Sequence, residues 1–447
     1  MHTTSFFLRD SNEPPINRML NPFQRFFKEE ASGGILLLVC TVIALAWANS
    51  PWSASYHNLF QTVLTLGVGD FVLSKGLILW INDGLMAVFF FVVGLEIKRE
   101  VMVGELAQPR QAALPIAAAI GGMVFPALFF FLLNPAEPDV RGWGIPMATD
   151  IAFSLGVLSL IGRSVPISAK IFLTAFAIVD DIGASLVIAV FYTDEISLMS
   201  LAIGGVFLLF MIVANRLGIR RPIPYAILGF CLWVAFLKSG VHPTIAGILA
   251  ALTIPASTRI NTRSFLQSAR VFITEFEKDC KEGETVLTSS RQRAALGALE
   301  SAAEYAQTPL QRLEHELHPW VSFFIMPVFA LANTGVSLGG GLGEALMSPV
   351  SIGVILGLVL GKQLGVTLFA WMAVKLGIAE KTADLTWRHI YGISWLGAIG
   401  FTMSLFIANL AYAWLEVLDS AKIGILAGSL IAGLGGWLIL RPGSRMS

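Results

Sequence analysis

Five ionisable residues lie inside long apolar stretches of this 447-residue chain, where a charge is costly. Asp150 lies in the segment PMATDIAFSLG, Asp180 and Asp181 are adjacent in AIVDDIGASLV, and Lys362 lies in GLVLGKQLGV. Asp83 lies near the start of a further apolar stretch, WINDGLMAVFF. A charge at the centre of a lipid bilayer costs about 2.5–3.5 kcal/mol on insertion scales, so each of these residues needs a reason to be there.

Internal salt bridges between helices are the simplest reason, and they would fully explain a single Asp–Lys pair. Three aspartates opposite one lysine leave carboxylates unpaired, and an unpaired buried carboxylate either takes up a proton or binds a cation. Adjacent residues of a helix point about 100° apart, so one of Asp180 and Asp181 can face Lys362 while the other faces a cation pathway. The sequence therefore favours a site for coupled proton and cation exchange.

Oxygen atoms are the only ligands that these aspartates and the neighbouring Thr149 offer. Hard cations prefer oxygen, and no Cys or His lies beside the aspartates in the sequence, so sodium or lithium fits better than zinc or copper. The three cysteines, Cys40, Cys231 and Cys280, are scattered without a CxxC motif, and we interpret them as small apolar residues. We expect no cofactor beyond the transported ions.

The composition places these residues in a helical membrane protein. Hydrophobic residues make up 55% of the chain and charged residues 13%, whereas soluble proteins carry roughly 25% charged residues. A net charge of zero provides no basic surface for nucleic acid, and continuous apolar runs without a period of two exclude a β-barrel. About twelve runs are long enough for helical spans: 33–49, 78–103, 113–133, 143–161, 168–191, 198–215, 222–238, 241–255, 319–338, 350–374, 390–414 and 421–440.

The basic residues predict the orientation of these spans. If the N-terminus is inside, 25 of the 30 Lys and Arg residues lie in inner segments, 4 lie in outer loops, and Lys362 lies within a span. Cytoplasmic loops are enriched in Lys and Arg, so both termini are expected in the cytoplasm. The expected divisions are a cytoplasmic segment 1–32, spans one to eight in 33–255, a cytoplasmic insert 256–318, spans nine to twelve in 319–441 and a tail 442–447.

Three segments outside the spans have features of their own. Residues 1–30 are interpreted either as a short helix on the membrane surface or as a disordered tail with a few aromatic residues. The first outer loop contains LTL-GVGD-FVL, which predicts a β-hairpin at about 56–76 that needs packing against something else. The insert holds amphipathic stretches near 263–281 and 289–307, separated at residue 283, and Thr308 before Pro309 has the form of a helix start.

Two of the predicted spans have an interrupted pattern. The segment before Thr149 and Asp150 in span four is rich in Gly and Pro, and GAIGFTMS (397–404) lies in the middle of span eleven. Interrupted spans in corresponding positions are typical of broken helices that meet at a substrate site, with spans 3–5 and 10–12 as two inverted repeats. Asp150 would then offset the positive ends of the half-helices, and Lys362 the negative ends.

The sequence resembles the NhaA family of sodium/proton antiporters over roughly 33–441. The matching segments occur in family order: INDGLMAVFFFVVGLEIKRE, MATDIAFSLG, FAIVDDIGASLVIAVFYT, GVHPTIAG, EHELHPWV, LGKQLG and GAIGFTMSLFIANL. The resemblance implies a twelve-span antiporter of the bacterial inner membrane that exports Na⁺ and Li⁺ in exchange for a larger number of protons. Such exchange is electrogenic. The resemblance also implies a homodimer formed through the outer hairpin.

The resemblance further implies a role for each residue of the site. Asp180 and Asp181 match the pair that binds the cation and carries protons, Asp150 matches the site in the first broken helix, and Lys362 matches the opposing lysine. Asp83 matches a position near the cation path, although a carboxylate at the start of a span also suits a helix N-terminus. A cytoplasmic pH sensor is implied for six residues: Glu96, Arg99, Glu100, Glu314, His315 and His318.

The pH sensor is less specific on the residues alone. Histidine titrates near pH 6.5, yet charges at a helix end usually form a solvated cap. The 256–318 insert is longer than usual in the family and lies just before this cluster. We therefore expect the insert to affect the pH set-point of the sensor and not the transport site.

Two other classes remain to be weighed. A sodium channel would also place carboxylates in the membrane, but Lys362 and the lack of a filter-like ring of carbonyls favour binding and alternation. An intramembrane aspartyl protease needs two aspartates on separate helices, which the adjacent pair does not provide. The sequence therefore predicts a transporter and not an enzyme.

Overall fold

A computed structural model of the chain describes residues 30–68, 71–162, 165–193, 196–258, 260–278, 289–337, 341–412 and 415–441 and shows a helical protein with one small sheet. The helices are α1 Glu30–Ala48, α2 Ser53–Gln61, α3 Leu77–Val103, α4 Pro109–Leu133, α5 Ile151–Ile161, α6 Ile167–Phe191, α7 Leu198–Arg216, α8 Pro222–Leu237, α9 Thr244–Thr253, α10 Thr262–Lys278, α11 Ser290–Ala306, α12 Pro309–Trp320, α13 Met326–Asn333, α14 Leu342–Met347, α15 Pro349–Lys375, α16 Trp387–Gly397, α17 Phe401–Ala411 and α18 Leu415–Leu440. A 3₁₀ helix, Asp139–Met147, precedes α5, and the π-helical turn Val321–Ile325 joins α12 to α13.

Six of these helices are long and apolar enough to cross a membrane, namely α3, α4, α6, α7, α15 and α18. Counting each bent pair of helices as one span raises the number to as many as nine among the described residues. Helices α8 and α9 are apolar but shorter, at 16 and 10 residues. The fold is therefore that of a multi-pass helical membrane protein.

Two bent pairs coincide with the interruptions expected in spans four and eleven. The 3₁₀ helix Asp139–Met147 meets α5 at 41°, and α16 meets α17 at 45°. The two breaks contact each other directly, because the backbone N–H of Asp150 donates to the carbonyl of Ile399 at 2.7 Å. On either side, the hydroxyls of Ser154 and Ser404 donate to the carbonyls of Leu396 and Ile145, each at 2.7 Å. Each break thus satisfies polar groups of the other.

Close packing of α4 against α15 fixes the position of the helix that carries Lys362. A Cβ atom at Gly121 would lie 2.1 Å from the carbonyl oxygen of Gly365, and one at Gly365 would lie 2.0 Å from that of Gly121. Gly361, four residues earlier, approaches Pro126 in the same way. Small residues four apart allow membrane helices to approach at backbone distance, so these glycines hold α15 against α4.

The predicted hairpin is present but shorter than the expected stretch 56–76. Strands β1 Val63–Val68 and β2 Phe71–Gly76 pair antiparallel, with Val63 opposite Gly76 and Val68 opposite Phe71. The preceding residues form helix α2 instead, in which Tyr56 and Phe60 are both buried. Tyr56 and Phe60 are four residues apart. A helix places such residues next to each other on one face, whereas a strand places them on one face but further apart.

The insert 256–318 contains the two expected helices, α10 and α11, which pack on each other. Helix α12 begins as predicted, with the backbone N–H of Gln311 donating to the Thr308 hydroxyl at 3.1 Å and Pro309 in the first turn. The break expected at residue 283, the turn of the hairpin at residues 69–70, and the chain before residue 30 lie outside the described residues.

Candidate ion-binding site

Asp150 lies where the two helix breaks cross. As N-cap of α5 it accepts the backbone N–H of Phe153 on Oδ1 at 3.0 Å. Its Oδ2 accepts the backbone N–H of Thr402 at 3.1 Å, near the start of α17, and also the Thr402 hydroxyl. One carboxylate therefore caps the N-termini of two half-helices, where the helix dipoles favour negative charge. Thr149 belongs to the same crossing, because its hydroxyl donates to the carbonyl of Gly397 at 2.6 Å.

Lys362 and Asp180 form an ion pair that is completely buried. The lysine Nζ lies 2.9 Å and 3.2 Å from the two carboxylate oxygens of Asp180, and both side chains have zero exposure. The same Nζ donates to the carbonyl of Met147, the last residue of the 3₁₀ helix. Burial of two charges is costly, and the carbonyl at a negative helix end gives the ammonium a second partner. The charge of Asp180 is therefore balanced within the protein.

Asp181 faces a different environment from its neighbour. It is 1% exposed, and its Oδ1 makes no hydrogen bond within the described part of the chain. It lines a cavity of about 200 Å³ together with Asp150, Glu96 and His318. Because consecutive residues of α6 point about 100° apart, Asp180 meets Lys362 while Asp181 meets the cavity. An unpartnered carboxylate oxygen in a cavity can accept either a proton or a hard cation.

The charged cluster expected from the resemblance lies at the C-terminal end of α3, where residues of α3 and α12 meet. Arg99 lies 3.1 Å from Glu100 and 3.1 Å from Glu314, the latter on α12. The backbone N–H of Glu105 donates to the other oxygen of Glu100 at 3.0 Å. Burial raises the pKa of Glu314, while the Arg99 guanidinium and nearby His315 act to lower that pKa. This ion-pair network joins α3 to α12 beside the cavity.

Asp83 lies apart from the other aspartates, thirteen residues before Glu96 on α3 and outside the residues that line the cavity. Its Oδ2 lies 2.9 Å from Lys75 Nζ, and its Oδ1 lies 4.0 Å from His242 Nε2. The His242 ring contacts the Thr244 hydroxyl through Nδ1 at 2.9 Å. Asp83 is therefore a member of a second, separate charged cluster.

Sequence reasoning did not single out two groups that hold the site together. Thr402 gives Asp150 two hydrogen bonds, and the Met147 carbonyl accepts one from Lys362. The polar centre of GAIGFTMS indicated that span eleven contributes, but not which hydroxyl does. A backbone carbonyl has no signature in the sequence at all. Within the described residues, no group of three His, Cys, Asp or Glu side chains is arranged to hold a resident metal.

Comparison with known proteins identifies the family of this chain. The profile of the family described as Na⁺/H⁺ antiporter 1 matches residues 24–440. A protein of Oleidesulfovibrio alaskensis named Na(+)/H(+) antiporter NhaA is 54% identical over 427 residues, covering 96% of this chain and 95% of that protein. One of the same name from Koribacter versatilis is 51% identical over 438 residues, covering 98% and 94%.

A third relative, named Na(+)/H(+) antiporter NhaA 2 and found in Syntrophotalea carbinolica, is 50% identical over 424 residues, covering 95% of this chain and 97% of that protein. These names describe transporters rather than enzymes. The family profile and the relatives each extend over nearly the whole chain, including both helix breaks and every aspartate of the site. The chain therefore belongs to the Na⁺/H⁺ antiporter 1 family.

Proposed function

We propose that this protein exports Na⁺, and also Li⁺, from the bacterial cytoplasm in exchange for H⁺, by alternating access at Asp150, Asp180 and Asp181. One observation carries the proposal: Asp181 presents an unpartnered oxygen to a cavity shared with Asp150, while Lys362 neutralises Asp180. The cavity therefore offers carboxylate oxygens that are not already balanced by a cation of the protein. The names of the relatives supply Na⁺ and H⁺ as the exchanged ions.

Exchange follows from competition between proton and cation for the same carboxylates. When the cavity faces the cytoplasm, Na⁺ binds to Asp181 with oxygen from Asp150 or Thr149 and displaces a proton. When the site faces outwards, a proton returns and releases the cation. Lys362 supplies the counter-charge of Asp180 while the cation is absent. If more than one proton returns per Na⁺, each cycle moves net charge inwards, and the membrane potential drives the export of Na⁺.

The proposed architecture has twelve spans, both termini in the cytoplasm, and two inverted repeats. One repeat comprises α4, the broken pair ending in α5, and α6; the other comprises α15, the broken pair α16–α17, and α18. The bend in the middle member of each set supports this assignment. The excess of Lys and Arg in the inner segments supports the orientation.

The proposed function includes regulation by pH and assembly into a dimer. Glu96, Arg99, Glu100, Glu314, His315 and His318 would set the pH at which the cytoplasmic end of the cavity opens. Supporting this role, Glu96 and His318 line the cavity, and Arg99 joins α3 to α12 beside it. Asp83 would lie on the outer part of the cation path. Two copies of the chain would associate through their β1–β2 hairpins, with the insert 256–318 on the cytoplasmic side.

Everted vesicles provide the direct test. Respiration acidifies their interior and quenches a pH-sensitive dye, and added Na⁺ should restore fluorescence as protons leave in exchange. Asp181→Asn should abolish this recovery, because an amide can neither carry the proton nor balance the cation. Asp384→Asn is the matched control, since Asp384 is exposed and lies outside the cavity.

Two outcomes would overturn the proposal. Normal recovery by Asp181→Asn would show that the cation uses another site. Sodium flux that is independent of an imposed proton gradient would identify a channel instead. The coupling ratio is measured by clamping the potential with valinomycin and K⁺, and recovery that depends on the clamped potential is expected for unequal exchange.

A further inference from the structure

Three asparagines, two of them buried and the third partly exposed, form a hydrogen-bonded cluster on the opposite side of the site from Glu96. Asn82 on α3 and Asn333 on α13 exchange two hydrogen bonds between their amides, at 3.2 Å and 2.9 Å. Asn409 on α17 donates to the Asn333 side-chain oxygen at 2.9 Å. Asn82 and Asn333 are 9% and 1% exposed. We call this set the Asn cluster.

An aromatic layer separates the Asn cluster from Asp150 and the cavity. The ring of Phe406 lies 5.7 Å from that of Phe90 and 6.2 Å from that of Phe329, with the His242 ring at 5.3 Å. Phe406 precedes Asn409 on α17 by one turn, and Phe329 precedes Asn333 on α13 by one turn. Helix α3 runs the other way, so Phe90 follows Asn82.

The order of residues along α17 and α3 also places the aromatic rings between the Asn cluster and the cavity. On α17, the positions Thr402, Phe406 and Asn409 are spaced four and three apart and therefore share one face, beginning at Asp150. On α3, the order from Asn82 through Phe90 ends at Glu96 in the cavity. The cavity that contains Asp181 thus reaches towards Glu96 and His318, whereas aromatic rings and then the Asn cluster close the other direction.

The Asn cluster also joins two sets of helices. Asn82 and Asn333 lie on segments that pack on each other, whereas α17 packs mainly against the 3₁₀ helix Asp139–Met147 and α18. The 3₁₀ helix and α17 form the helix breaks that hold Asp150. The hydrogen bond from Asn409 to Asn333 therefore links the helices that carry the site to those that form the opposite wall of the cavity.

We infer that the Asn cluster is a latch that keeps the outer side of the site closed while the cavity faces Glu96, and that the bond from Asn409 to Asn333 breaks when the site turns outwards. This inference rests on the proposed alternating access. Asn82 and Asn333 are buried, where an unmade hydrogen bond is costly, so the satisfied amides hold one arrangement and Asn333 loses a donor only when water can replace it. The latch would thus open together with an outer water path.

Paired cysteines test the latch in the full-length protein, with Cys40, Cys231 and Cys280 changed to Ser. Asn333→Cys with Asn409→Cys should be joined by a short bifunctional thiosulfonate, and the link should lower exchange at least tenfold, with recovery on reduction. The matched pair Asn82→Cys with Asn333→Cys lies within one set of helices, and linking it should leave exchange unchanged. Exchange by the linked 333–409 protein at its unlinked rate would overturn the latch.

A second measurement does not depend on exchange. Met403 lines the cavity, so Met403→Cys should react slowly with an impermeant maleimide applied from the outer face of right-side-out vesicles. Adding Asn409→Ala should increase this rate several-fold, and an unchanged rate would overturn the latch. If the unlinked protein shows no exchange but Asn409→Ala still increases labelling, the proposed function fails while the latch stands.

Discussion

At the scale of single residues, Thr402 is the donor on which the charge of Asp150 depends most. It gives the same carboxylate oxygen a backbone N–H at 3.1 Å and a hydroxyl, while Phe153 serves the other oxygen. Hydrogen bonds to a charged group contribute about 1.5–3 kcal/mol, more than bonds between neutral groups. Loss of the hydroxyl should therefore disfavour ionised Asp150 without disturbing the backbone.

Thr402→Val should weaken the apparent affinity for Na⁺ about tenfold, because about 1.4 kcal/mol less stabilisation of the carboxylate favours the proton over the cation. The measurement is the Na⁺ concentration that gives half-maximal fluorescence recovery in everted vesicles. Thr402→Ser keeps the hydroxyl and should behave like the parent. Equal half-maximal Na⁺ concentrations for the Val and Ser variants would show that the Thr402 hydroxyl does not contribute to the site.

Glu314 should give the protein a pH-dependent stability. Burial raises its pKa above the ordinary value of 4.5, so the native state holds this proton more tightly than the unfolded chain does. The resulting stabilisation is complete below pH 4.5 and is lost as the pH rises through the native pKa. Glu314→Gln resembles the protonated form at every pH and should melt above the parent at pH 8 but together with it at pH 4.

Melting in detergent, followed by intrinsic fluorescence, checks this difference between pH 4 and pH 8. Glu316→Gln removes a carboxylate from the same helix that pairs with Arg312 at 2.8 Å and is about half exposed. It therefore controls for the loss of one negative charge. A Glu314→Gln curve that runs parallel to the parent at both pH values would show that Glu314 is not the group responsible.

At the scale of helices, the contact between α4 and α15 should tolerate no added methyl group. A Cβ at Gly365 would lie 2.0 Å from the Gly121 carbonyl oxygen, so Gly365→Ala must push the helices apart at a cost of about 1–3 kcal/mol or more. Lys362, one turn away on α15, would shift with the helix. The variant should melt at a lower temperature and exchange more slowly.

Gly205→Ala is the matched substitution on a helix with open space. No atom lies within 4 Å of the added Cβ, and alanine favours a helix over glycine by up to about 1 kcal/mol. Its melting temperature should equal or exceed that of the parent. Equal melting of the two alanine variants would mean that α4 and α15 separate freely.

Several features of the helices could be predicted from the sequence. Both helix breaks were predictable, because glycine and polar residues interrupt otherwise continuous apolar runs. The start of α12 was predictable from Thr308 and Pro309, since capping is a local effect. Helix α2 was not, because the burial of Tyr56 depends on its hydroxyl reaching the carbonyl of Leu331 at 2.8 Å, far along the chain.

For the site, sequence reasoning supplied the charged residues but not their partners. Buried Asp and Lys are conspicuous in apolar runs because of their cost. Asparagine residues are not conspicuous in such runs. Asn82 and Asn333 are also 251 positions apart in the chain, so their pairing depends on how the helices pack. The side of α6 on which each aspartate lies likewise becomes known only when α15 is in place.

At the scale of the whole molecule, the β1–β2 hairpin is a sheet of two strands that no further strand of the described residues extends. Two strands alone are marginally stable, and within the part of the chain that the structure describes each has one edge without a neighbouring strand. Apolar side chains remain exposed on both strands, including Val63 at 63%, Leu66 at 53% and Val72 at 50%. A second hairpin that pairs edge to edge with the first would supply a backbone partner and cover exposed apolar side chains, which supports the proposed dimer.

Shortening the hairpin should convert the dimer to monomers without stopping exchange. Deleting 66–73 leaves Thr65 and Ser74, which face each other in the sheet, as a two-residue turn and removes most of the pairing edge. Because Asp150, Asp180, Asp181 and Lys362 all come from one chain, each monomer keeps a complete site. Light scattering of the purified protein gives its mass, and vesicle exchange gives its activity. A shortened protein that remains dimeric would place the interface elsewhere, whereas a monomer without exchange would show that the site needs its neighbour.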